Sequence, residues 1–134
     1  MQDVLFIIGS ESDRPRIEPA IELLDAKGMS YTLEAISAHR NLKELIEYLE
    51  RHATEFYVVI AAAGLSAALP GVVASLVENP VIGVPLEAGS LGGIDALLSI
   101  IQLPKGVPVA TMGIGKQGAL NAVHLAERIV KLTR

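Results

Sequence analysis

The sequence contains no cysteine and no tryptophan. Without cysteine there are no disulfides, no thiolate catalysis and no cysteine-based zinc site, which is compatible with a reducing compartment. Charge is sparse: 19% of residues are charged, where about 25% is usual. The formal net charge is −4, and no run or stripe of Lys and Arg appears, so binding to nucleic acid by neutralising phosphates is not expected. Met1-Gln2-Asp3 has no basic lead-in. The apolar run Val4 to Ile8 is far too short for a signal peptide or a membrane span. These gaps give the expectation of a soluble, cytoplasmic protein without nucleic-acid or membrane partners.

What the chain has in excess is apolar surface. Hydrophobic residues make up 51% of it, above the usual figure of about 45–50%. Its 134 residues are read as one domain, 1–134, by the usual scale of roughly 100–200 residues per domain. A chain of this length buries about two thirds of its unfolded surface without disulfide or metal staples. So small an interior cannot take the whole surplus, and part of it is expected in contacts between subunits.

Apolar runs and helical periodicity alternate along the chain. Val4 to Ile8 reads as a strand buried on both faces, as in parallel sheets. After Gly9 to Asp13 a helix follows, with Ile17, Ile21 and Leu24 on one face. Ser12 or Asp13 can cap it, Pro15 suits its first turn, Pro19 makes its start irregular, and Lys27-Gly28 ends it. Tyr31 to Ile36 is the second strand. Leu42, Leu45, Ile46 and Leu49 mark the second helix, and Phe56 to Ala61 is the third strand. The small-residue segment Ala62 to Gly71 allows close backbone approach. Val72 to Val77 is read as helix, Pro80 to Pro85 as strand four, and Asp95 to Gln102 as a helix apolar on several faces, destined for a core or a subunit interface. Val107 to Thr111 is strand five. A last helix carries Ala119, Val123, Ala126 and Val130 on one face. Five β-α units with right-handed crossovers give a parallel sheet with helices on both faces. The loops after the five strands then share one edge, where open α/β sheets bind ligands.

Two of those loops carry chemistry. Gly9-Ser10-Glu11-Ser12-Asp13 joins a buried strand to a helix N-terminus, which suits an anion. Ser10 adds a hydroxyl, and Asp13 can accept from a sugar hydroxyl. N-capping alone is the plainer reading. The loop is neither a Walker sequence nor a G-x-G-x-x-G. Ser37-Ala38-His39-Arg40 follows the second strand. His titrates near neutrality and suits acid/base work, and the Arg fork matches carboxylate or phosphate. A solvated surface loop is the alternative. His52 and His124 look ordinary, and no His pair at metal-ligand spacing exists, so no metal is expected. Gly113 to Gly118 has the letters of a G-x-G-x-x-G. Too little chain follows for a dinucleotide unit, so the segment reads as a helix start, with Lys116 a candidate phosphate contact. A single His with small hydroxyls and an Arg suggests proton shuffling on a phosphorylated substrate.

In their order these motifs resemble the N5-carboxyaminoimidazole ribonucleotide mutase family of purine biosynthesis, the phosphoribosylaminoimidazole carboxylase catalytic subunit type. Gly-Ser-x-Ser-Asp is matched by Gly9 to Asp13, and Ser-Ala-His-Arg by Ser37 to Arg40. Pro-Val-Ile-Gly-Val-Pro is matched by Pro80 to Pro85, and Gly-Val-Pro-Val-Ala-Thr by Gly106 to Thr111. Gly93 to Pro104 and Gly118 to Ala126, with Asn121, are similar to two further family stretches. The resemblance implies a three-layer α/β sandwich around a five-stranded parallel sheet, flavodoxin- or Rossmann-like, assembled as a homo-octamer with sites between subunits. It implies a cofactor-free transfer of a carboxyl group from the exocyclic nitrogen of the ribonucleotide to a ring carbon. His39 would be the acid and then the base. Ser10, Asp13 and Arg40 would hold the phosphate and ribose. Ser37, Gly64 and their neighbours would line the pocket that keeps the freed carbon dioxide, and Ser12, Ala38, Ser66 and Leu69 would complete the substrate-binding set.

The third loop departs from the family's Ala-Gly-Gly-Ala-Ala-His-Leu-Pro-Gly. Leu65 and Ser66 replace Gly and Ala, and Ala68 stands where a second His is expected; Asn41-Leu42 also replaces Thr-Pro. A related branch, the aminoimidazole ribonucleotide carboxylases that use free carbon dioxide, also lacks that His, so direct carboxylation is the alternative activity. A non-catalytic, flavodoxin-shaped nucleotide-binding module is the alternative from another class, and His39 beside the phosphate loop argues against it.

Overall fold

A computed structural model describes residues 1–134. Five parallel strands form one sheet: β1 (Gln2–Ile8), β2 (Tyr31–Ala35), β3 (Phe56–Ala63), β4 (Val81–Pro85) and β5 (Ala110–Thr111), in the order β2-β1-β3-β4-β5. This is the doubly wound order of flavodoxin-like folds, in which the chain reverses direction between β1 and β3. Five helices connect the strands: α1 (Arg14–Ala26), α2 (Leu42–His52), α3 (Leu69–Leu76), α4 (Ile94–Ile101) and α5 (Gly115–Lys131).

Alternation along the central strands builds two cores. Val4, Phe6 and Ile8 of β1, with Val58, Ile60 and Ala62 of β3, face α1 and α5. Leu5 and Ile7, with Val59, Ala61 and Ala63, face α2, α3 and α4. Ile17, Ile21 and Leu24 are buried as their spacing requires, and so are Ala119, Val123, Ala126 and Val130. In α2 the buried face is Leu45 and Leu49, whereas Leu42 in the first turn is exposed. Pro19 is accommodated inside α1 without ending it. The helix closes at Gly28 (φ +66°), where Gly28 N–H donates to Asp25 and Met29 N–H to Leu24, a Schellman cap.

Several boundaries differ from the sequence reading. β5 is limited to Ala110–Thr111 rather than starting at Val107. Pro108 has no N–H to give a ladder, and this is an edge strand. α3 begins at Leu69, three residues before Val72, because Pro70 fits a first helical turn. α5 begins at Gly115 within the glycine segment. A Cβ on Gly118 would overlap the Gly113 carbonyl, so this glycine serves close packing of a helix start, not a pyrophosphate. α4 buries Ala96 and Ile100, while Ile94 (54%), Leu98 (52%) and Ile101 (47%) are exposed on the single chain, with Leu91 beside them. No helix is long and apolar enough to cross a membrane.

Candidate active site

Backbone bonds carry the sheet ladder to its carboxyl edge and then release three loops side by side. Gly9 N–H donates to Ala62 O, Ile36 N–H to Ile8 O, and Leu86 N–H to Ala63 O, each at 3.0 Å. Beyond those points the loops after β1, β2 and β3 enclose a cavity of about 520 Å³, within the ordinary range for small-molecule sites. It lies at the reversal of strand order, where such folds bind ligands.

The first loop is a single 3₁₀ turn, Glu11–Asp13, leading into α1. Its cap is Ser10, not Ser12 or Asp13: Ser10 Oγ accepts from Ser12 N–H at 3.2 Å and lies 2.8 Å from Ser12 Oγ. Asp13 makes no side-chain bond to the helix N-terminus. Its Oδ1 instead lies 3.0 Å from Arg16 Nη1 on the first turn of α1. Asp13 is only 6% exposed. Burial raises its carboxyl above the usual range, and the charge and hydrogen bond of Arg16 oppose that rise. On the outer side of the turn Arg14 holds Glu11 through two bonds, at 2.9 and 3.0 Å, and keeps that carboxyl below its usual value.

The second loop is tied by Ser37. Its carbonyl accepts from Asn41 N–H at 2.9 Å and its hydroxyl from Arg40 N–H at 3.1 Å. Ala38 turns into the core. His39 and Arg40 are thereby held on the exposed side of the turn, where both line the cavity. The third loop supplies Gly64, Ser66 and Leu69. A Cβ on Gly64 would come within 2.6 Å of the Ala88 Cβ, so only glycine lets this loop lie against the one after β4. Leu65 takes φ +57°, a left-handed backbone, which is costly for a branched apolar residue.

Ser10, Ser12, Asp13, Ser37, Ala38, His39, Arg40, Gly64, Ser66 and Leu69, the residues that the family resemblance implies, all line this one cavity. Leu69 does so from the buried start of α3. Lys116, His52 and His124 lie elsewhere. His52 pairs with Glu55 at 2.9 Å, and His124 is exposed on α5. The sequence reading missed Arg16 and Ala88. The first had a signal, since Asp13 and Arg16 stand at i, i+3 entering a helix. The second had none, because alanine carries no chemistry and only the β3–β4 register brings it here. No three His, Asp or Glu side chains converge as a metal site would require. The cavity thus gathers the Asp13 carboxylate with its Arg16 partner, the Arg40 guanidinium and the His39 imidazole among small apolar residues. That suits an anion, a hydroxyl-bearing sugar and a proton transfer.

The family model for AIR carboxylase matches residues 3–134. The chain belongs to that family. It is 43% identical over 131 residues to the N5-carboxyaminoimidazole ribonucleotide mutase of Brucella melitensis, covering 97% of this chain and 81% of that protein. With the protein of the same name from Saccharolobus solfataricus it shares 47% identity over 131 residues, covering 97% and 82%. A chloroplastic phosphoribosylaminoimidazole carboxylase of Vigna aconitifolia is 44% identical over 93% of this chain, which is 22% of that longer protein. The crystal structure of Treponema denticola PurE superposes with a TM-score of 0.86 at 28% identity, covering 98% of this chain and 81% of that one. Two departures from the family's third loop gain meaning from the geometry. Leu65 keeps the left-handed backbone that the family's glycine suits. With Ala68 in the wall, His39 is the only histidine lining the cavity.

The raised carboxyl of Asp13 fixes a sign for stability. A carboxyl whose folded value exceeds its unfolded value favours folding at low pH and loses that advantage as pH rises through the folded value. Asp13→Asn removes this burden. The variant is expected to gain stability relative to the unsubstituted chain as pH rises from about 4 to 7. Urea denaturation across that range checks this expectation; a gap that narrows with rising pH would contradict it.

Proposed function

We propose that this chain is an N5-carboxyaminoimidazole ribonucleotide mutase. It converts its substrate to 4-carboxy-5-aminoimidazole ribonucleotide in de novo purine (IMP) biosynthesis, with no cofactor. The observation that carries this reading is the convergence of His39, Arg40, Ser10 and Asp13 on one cavity, in a chain of this family. Ser10, Ser12 and Arg40 bind the phosphate at the start of α1, where N–H groups and the helix dipole favour an anion. Asp13 accepts from the ribose hydroxyls.

His39 then works twice. As the N–C bond of the carbamate breaks and carbon dioxide leaves, the imidazolium gives its proton to the exocyclic nitrogen. The ring carbon attacks the trapped carbon dioxide, and neutral His39 takes the proton which that carbon sheds. The proton count closes and the enzyme is unchanged. Ala38, Gly64, Leu69 and Ala88 provide a small apolar wall that keeps carbon dioxide in and water out. All of residues 1–134 serve as one catalytic domain in a cytoplasmic enzyme.

A second reading, aminoimidazole ribonucleotide carboxylase acting on free carbon dioxide, is favoured by Ala68 in place of the family's second histidine and by the name of the plant relative. An absorbance assay separates the two. Turnover of the carbamate is expected; turnover of aminoimidazole ribonucleotide with bicarbonate, and none of the carbamate, would assign the carboxylase. His39→Asn is expected to lower kcat by about 10²–10⁴-fold or more with little change in ribonucleotide affinity. Activity surviving in that variant would remove the mechanism.

We also propose that the chain works as a homo-octamer. The exposed stripe of Leu91, Ile94, Leu98 and Ile101 is the kind of apolar surface that another chain covers, and His39 and Arg40 stand open on the single chain. Light scattering is expected to give the mass of eight chains, and Leu98→Asp to lower it. A monomeric mass for the unsubstituted protein would refute the assembly.

A further inference from the structure

Arg16 lies outside the Ser-x-Ser-Asp motif and takes no part in the proton and carboxyl transfers. It lines the cavity all the same. Its Nη1 is 3.0 Å from Asp13 Oδ1 and 3.5 Å from the Ser12 carbonyl, so one guanidinium spans two points of the turn that carries the ribose acceptor. The pair is unequal. The Asp13 side chain is 9% exposed and that of Arg16 is 42% exposed. A buried acceptor is therefore held by a donor that solvent reaches.

We propose that Arg16 is a positioning residue that keeps the Asp13 carboxylate charged and aimed at the substrate's ribose hydroxyls. The inference rests on the reading of this cavity as a ribonucleotide site.

The chemistry of Asp13 favours such a partner. A carboxylate can accept from two sugar hydroxyls at once, whereas a protonated carboxyl gives up part of that capacity to its own O–H. Burial drives Asp13 toward the protonated form, and Arg16 is the group that pulls it back. The neighbouring elements offer little else. The loop after β2 brings His39 and Arg40 to the same cavity, where the proposed mechanism assigns them to the reacting ring and the phosphate. The segment after β3, from Ala63 to Leu69, and Ala88 beyond β4 contribute no titratable side chain. Glu11 and Arg14 are engaged with each other on the outside of the turn. Arg16 also lets the cavity carry a carboxylate beside a phosphate site, since its charge offsets the repulsion that Asp13 would exert on the ligand's anion.

Arg16→Gln and Arg16→Lys decide the matter through two readouts: steady-state kinetics, and direct calorimetric binding of aminoimidazole ribonucleotide from pH 5 to 8. Arg16→Gln is expected to raise KM and the dissociation constant roughly fivefold at neutral pH, the upper range for a half-exposed ion pair. Its kcat should stay close to that of the unsubstituted chain, and the acid limb of binding should move to higher pH. Arg16→Lys keeps the charge and loses the fork, so it should restore the acid limb and only part of the affinity. The proposal is overturned if Arg16→Gln binds the ribonucleotide with unchanged affinity and an unchanged acid limb. It is equally overturned if kcat falls while KM holds. An unsubstituted chain that binds the ribonucleotide but turns over neither candidate substrate would remove the enzymatic reading instead, and the binding readout would still decide the role of Arg16.

Discussion

Burial of β1 on both faces is the constraint from which the rest of this molecule follows. Val4 to Ile8 are all fully buried, so the strand can carry no chemistry along its length. A central parallel strand must be covered by helices above and below and flanked by hydrogen-bonded neighbours. β2 and β3 fill the flanks, and the two cores fill the faces. Polar function is thereby driven to the carboxyl edge, where the ladder ends and the loops part. The order β2-β1-β3 sends the loops after β1 and β3 to opposite faces of the sheet, and a cleft opens between them. The cavity of this protein occupies that cleft.

Within the cleft, small residues set the shape and a few polar ones set the chemistry. Gly64 allows two loops to touch at Ala88. Ser37 holds its turn with its hydroxyl and its carbonyl, and so presents His39 and Arg40 on a fixed support. The cost sits at two places: Leu65 in a left-handed backbone and Asp13 desolvated beside an ion-pair partner. Strain and desolvation of this kind collect where a site must be formed before its ligand arrives.

Much of the architecture was legible in the sequence, because the apolar runs of β1, β3 and β4 are continuous and the helix periodicities are regular. Apolar pattern does not fix element ends, and the errors fall there. Pro108 silently shortens β5, and Pro70 starts α3 early. The grouping of the candidate residues was legible for a different reason: the chemical residues cluster in two short loops after strands, so placing the strands placed them at one cavity. What pattern could not supply was side-chain partnership. Asp13 looked like a helix cap and is instead an ion-pair partner of Arg16. Ser12 looked like another and instead donates to the cap made by Ser10. The apolar α4 looked buried and is half exposed on the single chain, since sequence does not say whether a partner chain or the chain's own core does the covering.

The central claim is that one cavity holds the phosphate and ribose on the first loop while His39 reaches the reacting ring. A crystal structure with 4-carboxy-5-aminoimidazole ribonucleotide bound tests it most directly. The phosphate is expected at Ser10, Ser12 and Arg40, the ribose hydroxyls at Asp13, and the His39 imidazole within about 3.2 Å of the exocyclic nitrogen or the new carboxylate. A ribonucleotide bound with its imidazole ring turned away from His39, or bound outside this cavity, would contradict it.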